Sequence, residues 1–240
     1  MRIAHVTATF PPYYGGTGMV CYHNALGLAR LGHQVTVFTA DHPPGDCAYP
    51  DEITVRRLPV VFRVGNAPLL PGLLGIKKFD IVHLHHTEQA VVLRGLQQPL
   101  AVETAHWRNV GLSEHIIYPS RALQAEVGRP GIVIPHGVDL ALFRWNGKQG
   151  TREDFIFYAG RVTRDKGVHQ AAEACKAAGV PFKVAGPCPD TGYAEQVLAD
   201  ADYLGELTHV ELCDMYNRAR ATLYLTQYSE PFGLSVVGSL

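Results

Sequence analysis

Phe155-Ile-Phe-Tyr-Ala-Gly-Arg161-Val-Thr-Arg-Asp-Lys166-Gly167 is the stretch against which the rest of this 240-residue chain is read. A short apolar run rich in β-formers ends at Gly160, as a buried strand does. Arg161 and Lys166 then sit on a loop closed by Gly167, after which Val168, Ala171, Ala172, Cys175 and Ala178 recur at helical spacing. The pattern predicts a strand, a basic loop and a helix N-terminus. Backbone N–H groups at a helix start attract anions, and the two cations add full charges at the same place. Arginine offers a planar fork of donors and lysine a compact point charge, a pair suited to a diphosphate. The same residues also fit a plain surface loop with two solvated cations.

The bulk numbers narrow the choice. The chain is long enough for one large domain or two modest ones. A hydrophobic content of 47% with 18% charged residues supplies a core and argues against disorder. A formal net charge of −1 leaves no global basic field for nucleic acid or an anionic membrane, so phosphate recognition has to be local. No apolar run reaches spanning length, and the chain opens on strand-like Arg2-Ile-Ala-His-Val rather than a signal peptide. Five cysteines, an odd number without paired spacing, read as thiols in a reducing compartment, so the cytoplasm is expected.

Upstream of the opening stretch, strand and helix signals alternate. Ile3–Phe10 is a strand candidate, followed by Tyr13-Tyr-Gly15-Gly16-Thr17-Gly18 and a helix from Met19 to Leu31 with Gly32 as its C′ residue. Glycines between a first strand and its helix let backbone approach a ligand, or simply make a tight turn. Further strands are expected at 33–39, 53–58, 80–86, 100–106 and from Ile132, with helices at 89–97 and 121–127, the latter capped by Ser120. The segment 65–78 reads as a short helix or an irregular cover. The polar run 145–154 reads as a linker, which divides the chain into domains 1–144 and 145–240. Beyond it, strands at 155–159, 182–185, 203–204 and 221–225 alternate with helices near 168–178, 193–200 and 209–219. This alternation predicts an α/β protein of two doubly wound parallel sheets with a cleft between them, its sites at the carboxyl ends of strands.

Several side chains at those ends bear on chemistry. His83, His85 and His86 invite a metal reading, but adjacent strand positions point to opposite faces and no carboxylate or cysteine pattern supports it; none is expected. His106 ends a strand, as a packing histidine or a functional one. Glu103, one face away, is expected to point to solvent or to a partner. Glu230 stands in a loop before Pro231, where it could accept hydroxyl hydrogen bonds or cap a helix.

Taken together these stretches resemble the retaining GT-B glycosyltransferases of family four. Pro11-Pro-Tyr-Tyr-Gly-Gly-Thr-Gly18, Leu31-Gly-His-Gln-Val-Thr-Val, Asp80-Ile-Val-His-Leu-His and Thr104-Ala-His106 look like the N-terminal half. Ile134-Pro-His-Gly-Val-Asp139, Gly160-Arg161…Lys166-Gly167, Tyr203-Leu-Gly-Glu-Leu and Ser229-Glu230-Pro-Phe-Gly-Leu-Ser-Val-Val look like the C-terminal half. Any one of these motifs is weak; the ordered series carries the match.

The resemblance implies two Rossmann-like domains, an acceptor side at 1–144 and a nucleotide-sugar donor side at 145–240. It implies sugar transfer from a nucleotide-diphosphate sugar to a glycan, lipid or small-molecule acceptor with retention, and no tightly bound cofactor. By position, Arg161 and Lys166 would bind the donor diphosphate with backbone at Gly15 and Gly16, while His106 and Glu230 would act at the reacting sugar. Gly18, Pro231, Phe232 and Gly233 would contact the sugar or shape its loop. The family pattern has a second glutamate eight positions after the first, where this chain has Gly238, and it continues past the position of Leu240. The second domain is therefore expected to be incomplete, perfected by self-association or a partner chain. A non-catalytic nucleotide-sugar or glycan-binding homologue is the alternative. A NAD-type oxidoreductase leaves the basic loop and Glu230 unexplained.

Overall fold

The computed structural model describes residues 1–12, 15–40, 48–58, 62–64, 67–69, 76–85, 100–110, 113–141, 143 and 152–239. The chain divides into two compact units, Met1–Gly137 and Val138–Leu240. The expected linker at 145–154 lies largely outside the described residues, as do the expected helix at 89–97, His86, Tyr13 and Tyr14. No helix among the described residues is long and apolar enough to cross a membrane.

Unit 1 is built on a seven-stranded parallel sheet. Its strands are β1 (Arg2–Thr7), β2 (Gln34–Ala40), β3 (Ile53–Leu58), β6 (Ile81–Leu84), β7 (Leu100–Thr104), β8 (His115–Tyr118) and β9 (Ile132–Val133). They run in the order β3-β2-β1-β6-β7-β8-β9. Two-sided burial explains the near-continuous apolar strands. On one face Ala4, Val6, Phe38, Val82 and Leu84 pack with Ile76. On the other, helix α1 (Gly16–Arg30) lays Cys21 and Ala25 on Val35, Val37 and Ile53. After α1, the Gly32 N–H reaches the Ala29 carbonyl at 2.8 Å, as the C′ reading expects. Helix α2 (Arg121–Val127) starts where Ser120 accepts from the Leu123 N–H at 3.1 Å, the expected cap.

Where the segment 65–78 is described, at Ala67–Leu69 and Ile76–Lys78, it holds a strand as well as a short helical turn. Strands β4 (Phe62–Val64) and β5 (Ala67–Leu69) pair antiparallel, and Ile76–Lys78 form a single 3-10 turn. The sequence signal was there: Gly65-Asn66 separates the paired residues Val64 and Ala67, and a two-residue Gly-Asn link is a hairpin signature. Its leucines and prolines masked that signal.

Unit 2 is a smaller parallel sheet of β10 (Glu153–Ala159), β11 (Phe182–Ala185), β12 (Asp202–Tyr203) and β13 (Ala219–Thr222), in the order β12-β11-β10-β13. Helices α3 (Val168–Ala178) and α4 (Thr191–Leu198) cover one face, where Val168, Ala171 and Cys175 meet Tyr158, Phe182 and Val184. Helix α5 (His209–Arg218) covers the other through Met215, against Phe155 and Phe157. Thr208 and Glu211 close a reciprocal capping box at the start of α5. A five-residue helix α6 (Leu234–Gly238) follows Gly233. Both units are α/β, Rossmann-like parallel sheets, the second the smaller.

Candidate functional site

In each sheet the strand order reverses beside the first strand, and crevices in such folds open at the carboxyl ends flanking that reversal. In unit 2 the flanking strands are β10 and β13. The loop after β10 carries Arg161 and Lys166, and the chain after β13 carries Glu230. The reversal therefore brings together residues far apart in sequence: Lys166 Nζ donates to Glu230 Oε2 at 2.6 Å.

The backbone holds this pair in place. The Gln227 N–H donates to the Asp165 carbonyl at 2.8 Å, stitching the two loops to each other. The buried Tyr158 hydroxyl donates to the Arg161 carbonyl at 2.8 Å. Arg164–Lys166 form a 3-10 turn that ends at Gly167, whose φ is +68°. An added Cβ there would collide with the Leu225 carbonyl, so only glycine serves. Lys166 also lies over the Tyr228 ring, 4.8 Å from its centre.

The electrostatics follow from this packing. Burial alone would lower the Lys166 pKa, but hydrogen bonds to Glu230 and Tyr228 outweigh it and the net shift is upward. The ammonium is only 17% exposed on its side chain, against 34% for Glu230. Arg161 stands on the same loop but more in the open, with its Nη2 3.8 Å from Asp165. Pro231 is buried, Phe232 half-buried, and Gly233, at φ +82°, immediately precedes α6.

In unit 1 the reversal lies between β1 and β6. Gly15 precedes α1 in extended conformation, and no acidic residue stands in the first turn. The preceding chain is fixed by Tyr49, whose hydroxyl donates to the Pro11 carbonyl at 2.7 Å, and by Arg57 at 3.2 Å. Gly18 is buried, and an added Cβ would come 2.9 Å from the Thr9 carbonyl oxygen. Its smallness serves the seating of α1 on the end of β1.

The histidines of unit 1 form one array. His5 pairs with His83 in the parallel register, and His85 lies two residues further along the same face. His5 Nδ1 is 3.0 Å from His85 Nε2, and His85 Nδ1 is 3.1 Å from His106 Nε2. The His106 ring stacks on His136 with centroids 5.3 Å apart. His83 turns to Thr104 Oγ1 at 2.7 Å. Burial holds His5 well below its ordinary pKa, helped by His83, and lowers His83 and His136 to about 4. His5, Cys21 and His85 also bring one ligand-type atom each within 4.8 Å of one another.

Sequence reasoning placed His83 and His85 on one face but missed His5, His85 as the neighbour of His106, and His136. Alternation within β1 could have flagged His5; the register that sets it beside β6 is a tertiary fact. Of the two settings expected for Glu103, solvent is the one overturned: at 1% exposure it is buried, because α2 and its flanks cover that face of β7 and β8.

The family model for Glycosyltransferase Family 4 matches residues 14–142. An uncharacterised glycosyltransferase of Methanocaldococcus jannaschii is 31% identical over 96 residues, which are 35% of this chain and 25% of that protein. The chain thus spans about a quarter of the length of that curated relative. Among solved structures, AviGT4, a glycosyltransferase involved in avilamycin A biosynthesis, superposes with a TM-score of 0.69 at 24% identity, covering 100% of this chain and 75% of that one. Sucrose-phosphate synthase of Thermosynechococcus elongatus gives 0.77 at 16% identity, with 100% and 78% covered. Anabaena HepE in complex with UDP gives 0.72 at 14%, again with 100% and 78% covered. With the family match extending over more than half of its residues, the chain belongs to glycosyltransferase family 4.

Proposed function

We propose that the chain binds a nucleoside-diphosphate sugar and transfers the sugar, with retention of configuration, to an acceptor hydroxyl. The observation that carries this reading is the Lys166–Glu230 pair at the strand reversal of unit 2, with Arg161 on the same loop. Lys166 keeps its proton, so a diphosphate arriving there meets a standing cation. Arg161 adds a guanidinium fork, and together they offset the charge that grows on the diphosphate as the sugar–phosphate bond breaks. As phosphate oxygens take over the ammonium, Glu230 is released to accept hydrogen bonds from sugar hydroxyls. Pro231, Phe232 and Gly233 set the course of the loop that carries it. In unit 1, backbone N–H groups at Gly15 and Gly16 suit an anionic group, and His106 bonds a hydroxyl of the transferred sugar. The scheme calls for no tightly held cofactor. The UDP bound to HepE, a protein of the same fold, makes nucleoside diphosphates the first probes.

Calorimetric titration with UDP, GDP, ADP and NAD tests the donor site. One nucleoside diphosphate is expected to bind saturably, with affinity weakened about 100-fold or more in an Arg161→Ala/Lys166→Ala variant. Absence of binding by folded protein overturns the reading. Donor consumption only when acceptor is present separates an enzyme from a non-catalytic binder, and the anomeric configuration of the product decides retention.

A further inference from the structure

We propose that His5 and His85 are positioning residues that fix the tautomer of His106, so that its ring proton resides on Nδ1. The argument begins at the buried end of the array. His5 is fully buried, and its Nε2 has no hydrogen-bond partner among the described residues. Its other nitrogen, Nδ1, lies 3.0 Å from His85 Nε2. A neutral imidazole has one donor nitrogen and one acceptor. If the His5 proton sat on Nε2, a buried N–H would be left without an acceptor, which is the rarer and costlier kind of orphan. With the proton on Nδ1, His5 donates to His85 and only a lone pair stays unpaired.

The choice then propagates. His85 accepts at Nε2, so its own proton must be on Nδ1, which faces His106 Nε2 at 3.1 Å. His106 accepts there in turn, and its proton is left on Nδ1. A second proton on His5 or His85, both buried, would place a charge among closely packed imidazoles, a costly arrangement. Two flanking rings, His83, stacked on His85 with centroids 4.4 Å apart, and His136, stacked on His106, are both held neutral by burial near pH 7. Parallel register makes the array possible, because His5, His83 and His85 occupy one face of adjacent strands.

The consequence bears on recognition. An oxygen that meets His106 Nδ1 meets a hydrogen-bond donor and not a base. The ring therefore selects an acceptor atom, such as a sugar hydroxyl oxygen or a carbonyl. This last step rests on the proposed contact between His106 and the transferred sugar; the tautomer itself does not.

Two-bond proton–nitrogen correlation spectra of ¹⁵N-histidine-labelled protein test the tautomer directly, with the His106 signals assigned by their loss in His106→Gln. A protonated Nδ1 with a pyridine-type Nε2 is expected for both His85 and His106. His106 protonated at Nε2 in the unaltered protein overturns the proposal, whatever the variants do. In His5→Leu, His106 is expected to populate both tautomers, whereas His5→Asn, whose amide can donate from nearly the place of Nδ1, keeps one. An unchanged His106 spectrum in folded His5→Leu overturns the relay. Stoichiometric zinc uptake that is lost in Cys21→Ala also overturns it, since the metal would occupy the lone pairs of the array. Once a donor and acceptor are known, kcat/KM should fall about tenfold in His5→Leu and recover in His5→Asn. Tautomer signals that behave as expected without this kinetic effect would count against the sugar contact and leave the relay standing.

Discussion

The two sheets reverse strand order in the same way, yet the two reversal points carry opposite chemistry. Between β1 and β6 of unit 1 lie imidazoles that are buried and neutral, His83 with a pKa near 4 and His5 well below its ordinary value. Between β10 and β13 of unit 2 lies an ion pair, Lys166 with Glu230, partly open to solvent. Unit 1 needs its polar groups uncharged because α1 seals that face. Unit 2 can keep full charges because its loops leave them partly wet, where desolvation is milder. Topology fixes where a site lies in such sheets, and the side chains there decide what it can hold.

Acid gives the largest expected separation of the two units. An unfolded histidine binds its proton near pH 6.5, whereas folded His83 waits until about 4. Between those values the unfolded state holds more protons, so stability falls as pH is lowered through the window and the penalty is absent above it. His83 alone contributes about 3 kcal/mol of this loss, with His5 and His136 acting in the same direction. Lys166, whose pKa is raised, stays charged throughout. Urea unfolding at pH 7, 5.5 and 4 should show unit 1 melting progressively earlier than unit 2. A single transition with a constant midpoint would erase the electrostatic difference between the two units.

Alanine at the two site glycines should cost unequal amounts. Gly167→Ala combines a left-handed backbone with a collision at Leu225, and a loss of about 3 kcal/mol is expected. Gly18→Ala meets the Thr9 carbonyl at 2.9 Å within a helix that welcomes alanine, so about 1 kcal/mol is expected. Equal losses in chemical denaturation would mean that the unit 2 loop yields more than its packing implies. The smallest effect should be a gain. Gly27 lies inside α1 with nothing within 4 Å of an added Cβ, so Gly27→Ala should stabilise unit 1 by roughly 0.5–1 kcal/mol. A destabilised Gly27→Ala would show that α1 packs more tightly at that position than its open surroundings imply.

Most of the fold was legible because its signals are local. The Ser120 cap, the helix at 168–178 and the strand at 182–185 are set by neighbouring residues, and each stands where periodicity placed it. The hairpin at 62–69 was missed because leucines and prolines obscured a two-residue turn signal. Of the candidate site, the basic loop and Glu230 were legible as separate features. Their meeting was not, since it depends on β13 pairing beside β10 across most of unit 2.

The sequence by itself determined the α/β alternation, the basic loop and the family motifs, because period, turn chemistry and residue type are properties of short stretches. Only the tertiary structure decided which of those residues touch. The His5–His85–His106 array exists because three parallel strands hold one register, and the Lys166–Glu230 bond exists because strand order reverses between β10 and β13. Register and strand order arise from burying both faces of each sheet at once, a condition that no local window contains.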